Sequence, residues 1–197
     1  MANVVICAEL KAGHDFACAR NFAKKYFQEA VFINLADIDR AASGDPAIGG
    51  VSACDYNIAM VLKTGKTGYA IRLPDNGNAI KGFVGKSRDD NGRNQYLHQV
   101  QFMLMGASED VKCTLDKLDQ GRYAVALQLT DGTVEIYGWY NGLSTADYTY
   151  DVAEGGGGGV LVLQSDENAQ EPTLPLVYRS GVEGGAEADF NDQFAQP

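Results

Sequence analysis

Two short stretches of the chain end in the way that a phosphate-binding P-loop ends. They are Gly65-Lys66-Thr67 and Gly85-Lys86-Ser87. A complete P-loop also has a glycine five residues before its second glycine, and it opens a helix whose N–H groups face the phosphates. Those positions hold Met60 and Ile80, and both stretches fall in strand-and-turn sequence. We therefore expect no nucleotide site and no cofactor.

Thiols and an imidazole gather near the N-terminus, where Cys7, His14 and Cys18 are close in sequence and Cys54 follows later. Zinc sites usually contain a C-x₂₋₄-C pair, and this set has none. Burial of the thiols as small apolar groups is the favoured interpretation, while a Cys7–Cys18 bridge stays open. We expect no metal site.

Nucleophilic catalysis would need a nearby base, and His14 and His98 are the two histidines of the chain. His98 stands in an apolar, strand-like run, where a histidine is more often packed or at an interface than catalytic. The sequence has no G-x-S-x-G nucleophile elbow. The acidic pairs Asp89-Asp90 and Asp166-Glu167 lie in polar segments. We predict that the protein is not an enzyme and has no catalytic residues.

A polar, glycine-rich segment at 81–95 carries four basic residues, Lys81, Lys86, Arg88 and Arg93. One interpretation is a projecting loop or hairpin tip that is simply solvated. The other is an arm that contacts the acidic surface of a neighbouring subunit. A loop of this length on a compact domain is usually functional or mobile, and we predict an inter-subunit contact.

Charge is unevenly distributed along the chain. The formal net charge is −10, and the stretch from residue 141 to 197 holds ten acidic residues against one basic residue, Arg179. Proteins that grip nucleic acid neutralise phosphates with Lys and Arg, so this balance argues against tight nucleic-acid binding. No apolar run approaches the ~18 residues of a membrane span, and the start, MANVVICAEL, lacks the features of a signal peptide. We expect reduced thiols and no membrane association.

The elements that must position these residues are mostly strands. Period-two apolar patterns predict a hairpin from 56–62 and 69–73, a long strand at 96–105, a hairpin about the 130–132 turn, and late strands at 160–165 and 176–178. Residues 31–38 also alternate like a strand, and 16–29 are typical of a helix or an irregular loop. Ser108 is placed to cap a helix over 108–120 that Gly121 ends.

About eight strands with one or two helices predict a mostly β fold, a β-sandwich or half-barrel with a flanking helix at about 108–120. We expect one domain over 1–180, with 1–30 as an N-terminal arm and 81–95 as the projecting loop. Residues 181–197 are predicted to be an acidic, mobile tail that adds little to the core.

The order of these features resembles the tail tube and related virion proteins of long-tailed phages, especially phages of Bacteroidetes. The N-terminal CAELKAG followed by Cys18 is similar to the Cys…Gly…Cys pattern of that family. The segments DGTVEIYGWYNGL (131–143) and DYTYD (147–151), a glycine run, VLVLQS (160–165) and PLVY (175–178) are similar to its C-terminal half.

The resemblance implies two packed sheets and a flanking helix, in subunits that form stacked hexameric rings around a lumen. It implies a virion (tail) location after assembly in the host cytoplasm. The partners would be other copies of the chain and other tail proteins: tape measure, terminator, and baseplate or sheath. DNA would pass through as cargo during ejection, and an acidic lumen would repel its phosphates.

Two alternatives remain at the level of sequence. A head-to-tail connector or tail-terminator ring protein would have the same general features. A ligand- or carbohydrate-binding β-sandwich is an alternative of another class, in which Trp139 and Tyr140 would form an aromatic platform on the surface.

Overall fold

The computed structural model describes residues 26–44, 56–72, 80–129, 133–151 and 158–178, and these form a mostly β fold with a single α-helix. The strands, in chain order, are β1 (Tyr26–Asn34), β2 (Asn57–Ile58), β3 (Tyr69–Arg72), β4 (Lys81–Arg88), β5 (Asn94–Met105), β6 (Tyr123–Leu129), β7 (Val134–Tyr137), β8 (Leu143–Thr145), β9 (Tyr150–Asp151), β10 (Gly158–Ser165) and β11 (Leu176–Tyr178). The helix α1 is Glu109–Gln120, and Leu35–Asp37 form a 3₁₀ turn.

The strands follow one path of pairing, β2-β11-β7-β6-β8-β10-β5-β4. Three strands lie off this path: β1 pairs with β6, β3 pairs with β1, and β9 pairs with β10. All of these pairs are antiparallel except β11 with β2. The path curves back on itself, so the structure is the predicted sandwich or half-barrel with a flanking helix.

Strands β1 and β6 are the centre of the packing, because both of their faces are buried. On one face, Val31, Ile33 and Ala126 pack with residues of β2, β7 and β11. On the other, Phe32 and Leu127 pack with residues of β5, β10 and α1. Burying apolar surface on both faces of these strands stabilises the fold by roughly 25 cal/mol per Å² removed from water.

The helix follows its sequence signals closely. Ser108 is the N-cap, and its hydroxyl accepts a hydrogen bond from the backbone N–H of Val111. Leu115 and Leu118 are buried against the sheet, since residues three or four apart share one face of a helix. Gly121 ends the helix, and its N–H donates to the carbonyl of Leu118.

Several sequence predictions need correction. The segment 81–95 is the end of a long hairpin, one of the two forms expected for it, and not a projecting loop: residues 81–88 are strand β4, a short turn follows, and β5 begins at Asn94. The hairpin predicted from 56–62 and 69–73 is wrong, because β3 pairs with β1 and β2 pairs with β11. The tertiary pairing of β1 with β6 and β3 overrides the local turn signal.

The described residues cover only part of the N-terminal segment for which predictions were made. Strand β1 begins at Tyr26, so the end of the 16–29 segment is strand, and residues 35–37 form a 3₁₀ turn inside the strand predicted at 31–38. The rest of the predicted arm over 1–30, up to residue 25, lies outside the described residues, as does the tail at 181–197.

Candidate functional site

The β4–β5 hairpin holds all four basic residues singled out from the sequence. Eight consecutive residue pairs join the two strands, from Lys81 opposite Gln101 to Arg88 opposite Asn94. At the tip, the Asp89 carboxylate accepts hydrogen bonds from the backbone N–H groups of Asn91 and Arg93, at 3.0 and 2.6 Å. The tip is therefore a built turn rather than a loose loop.

The hairpin brings three of the four cations together. Lys86, Arg88 and Arg93 lie at the tip, whereas Lys81 lies at the base of β4, seven residues or roughly 23 Å from Arg88. All four side chains are exposed, and none forms an ion pair with another residue that the structure describes.

Strand β4 forms one end of the strand path, and no second strand among the described residues pairs with it. Its outer row of N–H and C=O groups is therefore available to another strand. Phe83 is 46% exposed and Val84 is 36% exposed, so apolar side chains stand on both faces of this edge. Natural proteins often place charge on an open edge of this kind, and this edge carries Lys86 and Arg88 near its tip.

A groove of about 440 Å³ runs beside β4. Its walls are largely apolar, and they come from β4 on one side and from the β2 and β11 region on the other; they are formed by Tyr56, Val84, Leu174, Pro175 and Val177. Its floor carries the hydrogen-bonded pair of the Tyr137 hydroxyl and the Glu135 carboxylate, which are 2.9 Å apart. Tyr56, Val84 and Leu174 are exposed, so the groove presents a patch of apolar side chains to solvent.

Gly82 allows this groove to exist in its present form. A Cβ built at position 82 would overlap the end of the Tyr137 ring, including its hydroxyl. Tyr137 is itself 2% exposed and is held by Glu135, so it cannot swing away. A glycine on β4 therefore permits the phenol to lie against the backbone of the edge strand.

Two buried titratable residues fasten the loops behind the hairpin. His98 of β5 accepts a hydrogen bond at Nδ1 from the N–H of Gly138, and its Nε2 donates to the carbonyl of Thr173. Burial lowers the pKa of His98 to about 4, although the bond to Thr173 opposes the shift. His98 is therefore a neutral core histidine with both ring nitrogens hydrogen-bonded, the packed form of the two expected for it.

Glu171 has a comparable structural role. Its two carboxylate oxygens accept the backbone N–H groups of Tyr140 and Asn141, at 2.9 and 2.8 Å, and its own backbone exchanges two hydrogen bonds with Tyr96. Burial raises the pKa of Glu171, and these N–H groups together with the charge of Arg40 oppose the rise. The residue joins the 138–142 turn to the base of the hairpin tip.

The predicted aromatic platform is not formed. Trp139 is buried, with 1% of its surface exposed. The Arg40 guanidinium covers its ring at 4.0 Å from the ring centre and also donates to the Trp139 carbonyl. A covered indole cannot stack on a sugar, so the carbohydrate-binding alternative loses the feature on which it rested.

Neither of the two P-loop-like stretches opens a helix. Gly85-Lys86-Ser87 lies within β4, and Gly65-Lys66-Thr67 begins in a turn, where Gly65 has a φ of +75°. Among the described residues no group of His, Cys, Asp or Glu is arranged to hold a metal ion. Cys7, His14, Cys18 and Cys54 lie outside the described residues.

Comparison with known proteins gave no relatives: no family model matches the chain, and no curated protein or solved structure gives a significant match. Within the described residues, no helix has the length and apolar character needed to cross a membrane.

Proposed function

We propose that the chain is a structural subunit that assembles with copies of itself into stacked rings, as the tail tube subunit of a long-tailed phage does. The observation that carries the proposal is the open edge of β4, with exposed apolar residues along it and three cations at its tip. The resemblance in the order of sequence motifs supports the phage assignment. Hexameric rings, passage of DNA and contacts with other tail proteins belong to the same proposal.

The charges favour a head-to-tail contact over a symmetric one. Two β4 edges paired symmetrically over their full length would place Arg88 of each copy opposite Lys81 of the other, and like charges across strands destabilise pairing. A second surface, three strands along the path from β4, is acidic: α1 packs near β8 and carries Glu109, Asp110, Asp116 and Asp119 against Lys112 and Lys117. Head-to-tail contacts of this kind close into rings or continue as filaments.

On this side a hydrogen bond joins α1 to the segment between β8 and β9. The Tyr148 hydroxyl donates to the Asp119 carboxylate at 2.9 Å, and this bond, together with burial and the charges of Asp119 and Asp116, raises the pKa of Tyr148. Strands β10 and β5 lie between β8 and β4 in the path, so those two strands are roughly 14 Å apart across the sheet. Complementary charges on two separate surfaces would set the register of neighbouring subunits more than they add affinity.

The test is electron microscopy of the purified protein together with a charge reversal. Arg88→Glu with Arg93→Glu should leave the monomer folded and slow or block assembly, and wild-type assembly should weaken as salt rises. The comparison variant is Lys112→Glu with Lys117→Glu, which changes the same number of charges but makes the α1 side more acidic, so it should assemble at least as readily as the wild type.

The form of the assemblies separates the virion roles. Long hollow tubes support a tail tube, whereas single rings that do not stack support a connector or terminator. Normal tubes from the Arg88 and Arg93 double variant, with unchanged salt dependence, would show that the hairpin is only a solvated projection.

A further inference from the structure

The groove beside β4 and the cations at the hairpin tip form one continuous surface. Side chains at alternate positions of a strand share a face, so Gly82, Val84, Lys86 and Arg88 lie on the same side of β4. Val84 and Gly82 border the apolar groove, and the two cations follow at the next two positions along that face. An extended segment that paired with the free edge would meet apolar side chains first and positive charge next.

This arrangement defines the chemistry of the occupant. A segment added to a sheet edge gains main-chain hydrogen bonds, and its alternate side chains provide specificity. Here those side chains should be large and apolar beside Val84 and Leu174, and acidic beside Lys86 and Arg88. Two acidic residues also lie at the tip. The Asp89 carboxylate accepts hydrogen bonds from the N–H groups of the turn, and Asp90 is exposed.

The chain contains a segment with this chemistry. After Arg179 it has four acidic residues, Glu183, Glu187, Asp189 and Asp192, and no basic residue, together with Phe190 and Phe194. In an extended conformation Phe190, Asp192 and Phe194 would share one face, because they are two residues apart. The segment lies outside the described residues.

The direction of β11 favours a segment from another copy. Glu171 lies near the hairpin tip, where its backbone pairs with Tyr96, the partner of Lys86. From there the chain runs away from the tip, with Leu176 opposite Ile136 and Val177 opposite Glu135. Each chain therefore leaves its last described strand heading away from the cations at its own hairpin tip. That direction favours a groove on a neighbouring copy.

We propose that the β4 edge and its groove bind the acidic segment 180–197 of a neighbouring copy. This inference rests on the proposed function in one respect, since assembly supplies the neighbour. In a stack of rings, the segment of one subunit would bind the groove of a subunit in the next ring. One phenylalanine would lie beside Val84 and Leu174, and Asp192, two residues away on the same face, would lie beside Lys86.

The direct test uses a fluorescein-labelled synthetic peptide of residues 180–197 and the full-length chain. The receptor is the full-length Phe190→Ala, Phe194→Ala variant, whose own segment cannot compete. We expect saturable binding by fluorescence anisotropy that weakens with salt. Lys86→Glu with Arg88→Glu in the receptor should raise Kd by about tenfold or more, as loss of a central interface contact does. Lys112→Glu should leave Kd unchanged.

A scrambled peptide of identical composition is the matched control for non-specific charge attraction. Equal binding of the scrambled and natural peptides, or no binding of either, would overturn the inference. Leu174→Asp provides a second variant. Leu174 is exposed, so the substitution should preserve the fold, as circular dichroism would check, and should weaken binding of the peptide.

Microscopy of the Phe190→Ala, Phe194→Ala chain separates this inference from the proposed function. Rings that no longer stack support both. Normal tubes from this variant would overturn the segment's role and leave the tube proposal intact. Peptide binding by a wild-type chain that never assembles would support the groove and overturn the tube.

Discussion

The backbone N–H of Gly138 donates a 3.2 Å hydrogen bond to Nδ1 of His98. A ring nitrogen that accepts a hydrogen bond carries no proton, so the proton of this imidazole is on Nε2, which donates to Thr173. Gly138 has a φ of +69°, and a Cβ there would overlap Leu143. The turn that presents this N–H therefore requires glycine. The neutral form of His98 in turn depends on the hydrogen bond that this N–H donates.

Acid should destabilise the fold through His98. Its pKa is about 4 in the folded chain, against an ordinary value near 6.5, so the unfolded chain binds the proton more readily. The contribution is fully present above pH 6.5 and is lost as the pH falls toward 4. We expect the free energy of unfolding to decrease by about 3 kcal/mol across that range, measured by urea denaturation at several pH values.

His98→Gln is the control for this prediction, because it removes the titrating group. Its stability at neutral pH should be lower, but its dependence on pH between 6.5 and 4 should be weaker. Glu171 acts in the opposite direction: its raised pKa means that acid relieves the burial of its charge. A wild-type profile that is flat across this range, matching that of His98→Gln, would contradict the lowered pKa of His98.

Glu171→Gln should destabilise the protein by about 1–3 kcal/mol, because an amide has one acceptor oxygen in place of two. One of the N–H groups of Tyr140 and Asn141 would then face an NH₂ donor. Urea unfolding at pH 7 measures the effect. Glu167→Gln, four residues earlier in the same loop and exposed, is the matched control and should change stability by less than about 0.5 kcal/mol.

Gly82→Ala and Gly85→Ala form a second matched pair on the same strand. At position 82 the new methyl group would overlap Tyr137, whereas at 85 its nearest neighbour would be Leu97 Cβ at 3.7 Å. We expect Gly82→Ala to cost about 1–3 kcal/mol through overpacking and Gly85→Ala to be close to neutral. Thermal melts of the two variants measure the difference, and equal melting temperatures would show that Tyr137 moves freely.

Deletion of residues 181–197 should leave the melting temperature of the monomer nearly unchanged. The segment has only Phe190 and Phe194 as large apolar residues, and burial of apolar surface is the main source of core stability. Differential scanning fluorimetry of the deleted and full-length chains measures this at low concentration, where assembly does not contribute. A melting temperature several degrees lower for the deleted monomer would show that the segment packs into the core of its own subunit.

The sequence was a good guide where local signals and tertiary packing agree. Ser108, the apolar spacing of Leu115 and Leu118, and Gly121 together define α1, and alternation around the 130–132 turn predicts the β6–β7 hairpin. It failed where a distant partner decides the pairing. Residues 69–72 have a fine hairpin pattern, but β1 supplies their partner from some forty positions earlier in the chain.

The groove could not have been found from the sequence. Its walls come from positions 56, 82, 84, 174, 175 and 177, and its floor from positions 135 and 137, which only the strand order brings together. Nor does any local pattern mark Glu171 as buried, since it lies among polar residues before Pro172. The four cations were identified by composition, but that Lys81 stands apart from the other three follows from the length of β4.

The geometry of β4 has a mechanical consequence. Its eight pairs with β5, and the seven pairs of β5 with β10, have hydrogen bonds that run across the strands, perpendicular to their length. A force directed along β4 therefore loads all of these bonds at once in shear. A force perpendicular to the strand, applied at one end, would open them one at a time. A neighbour that pairs along this edge joins the same shear geometry, so tension along the strand is shared by every bond in the ladder and carried through β5 into the body of the protein.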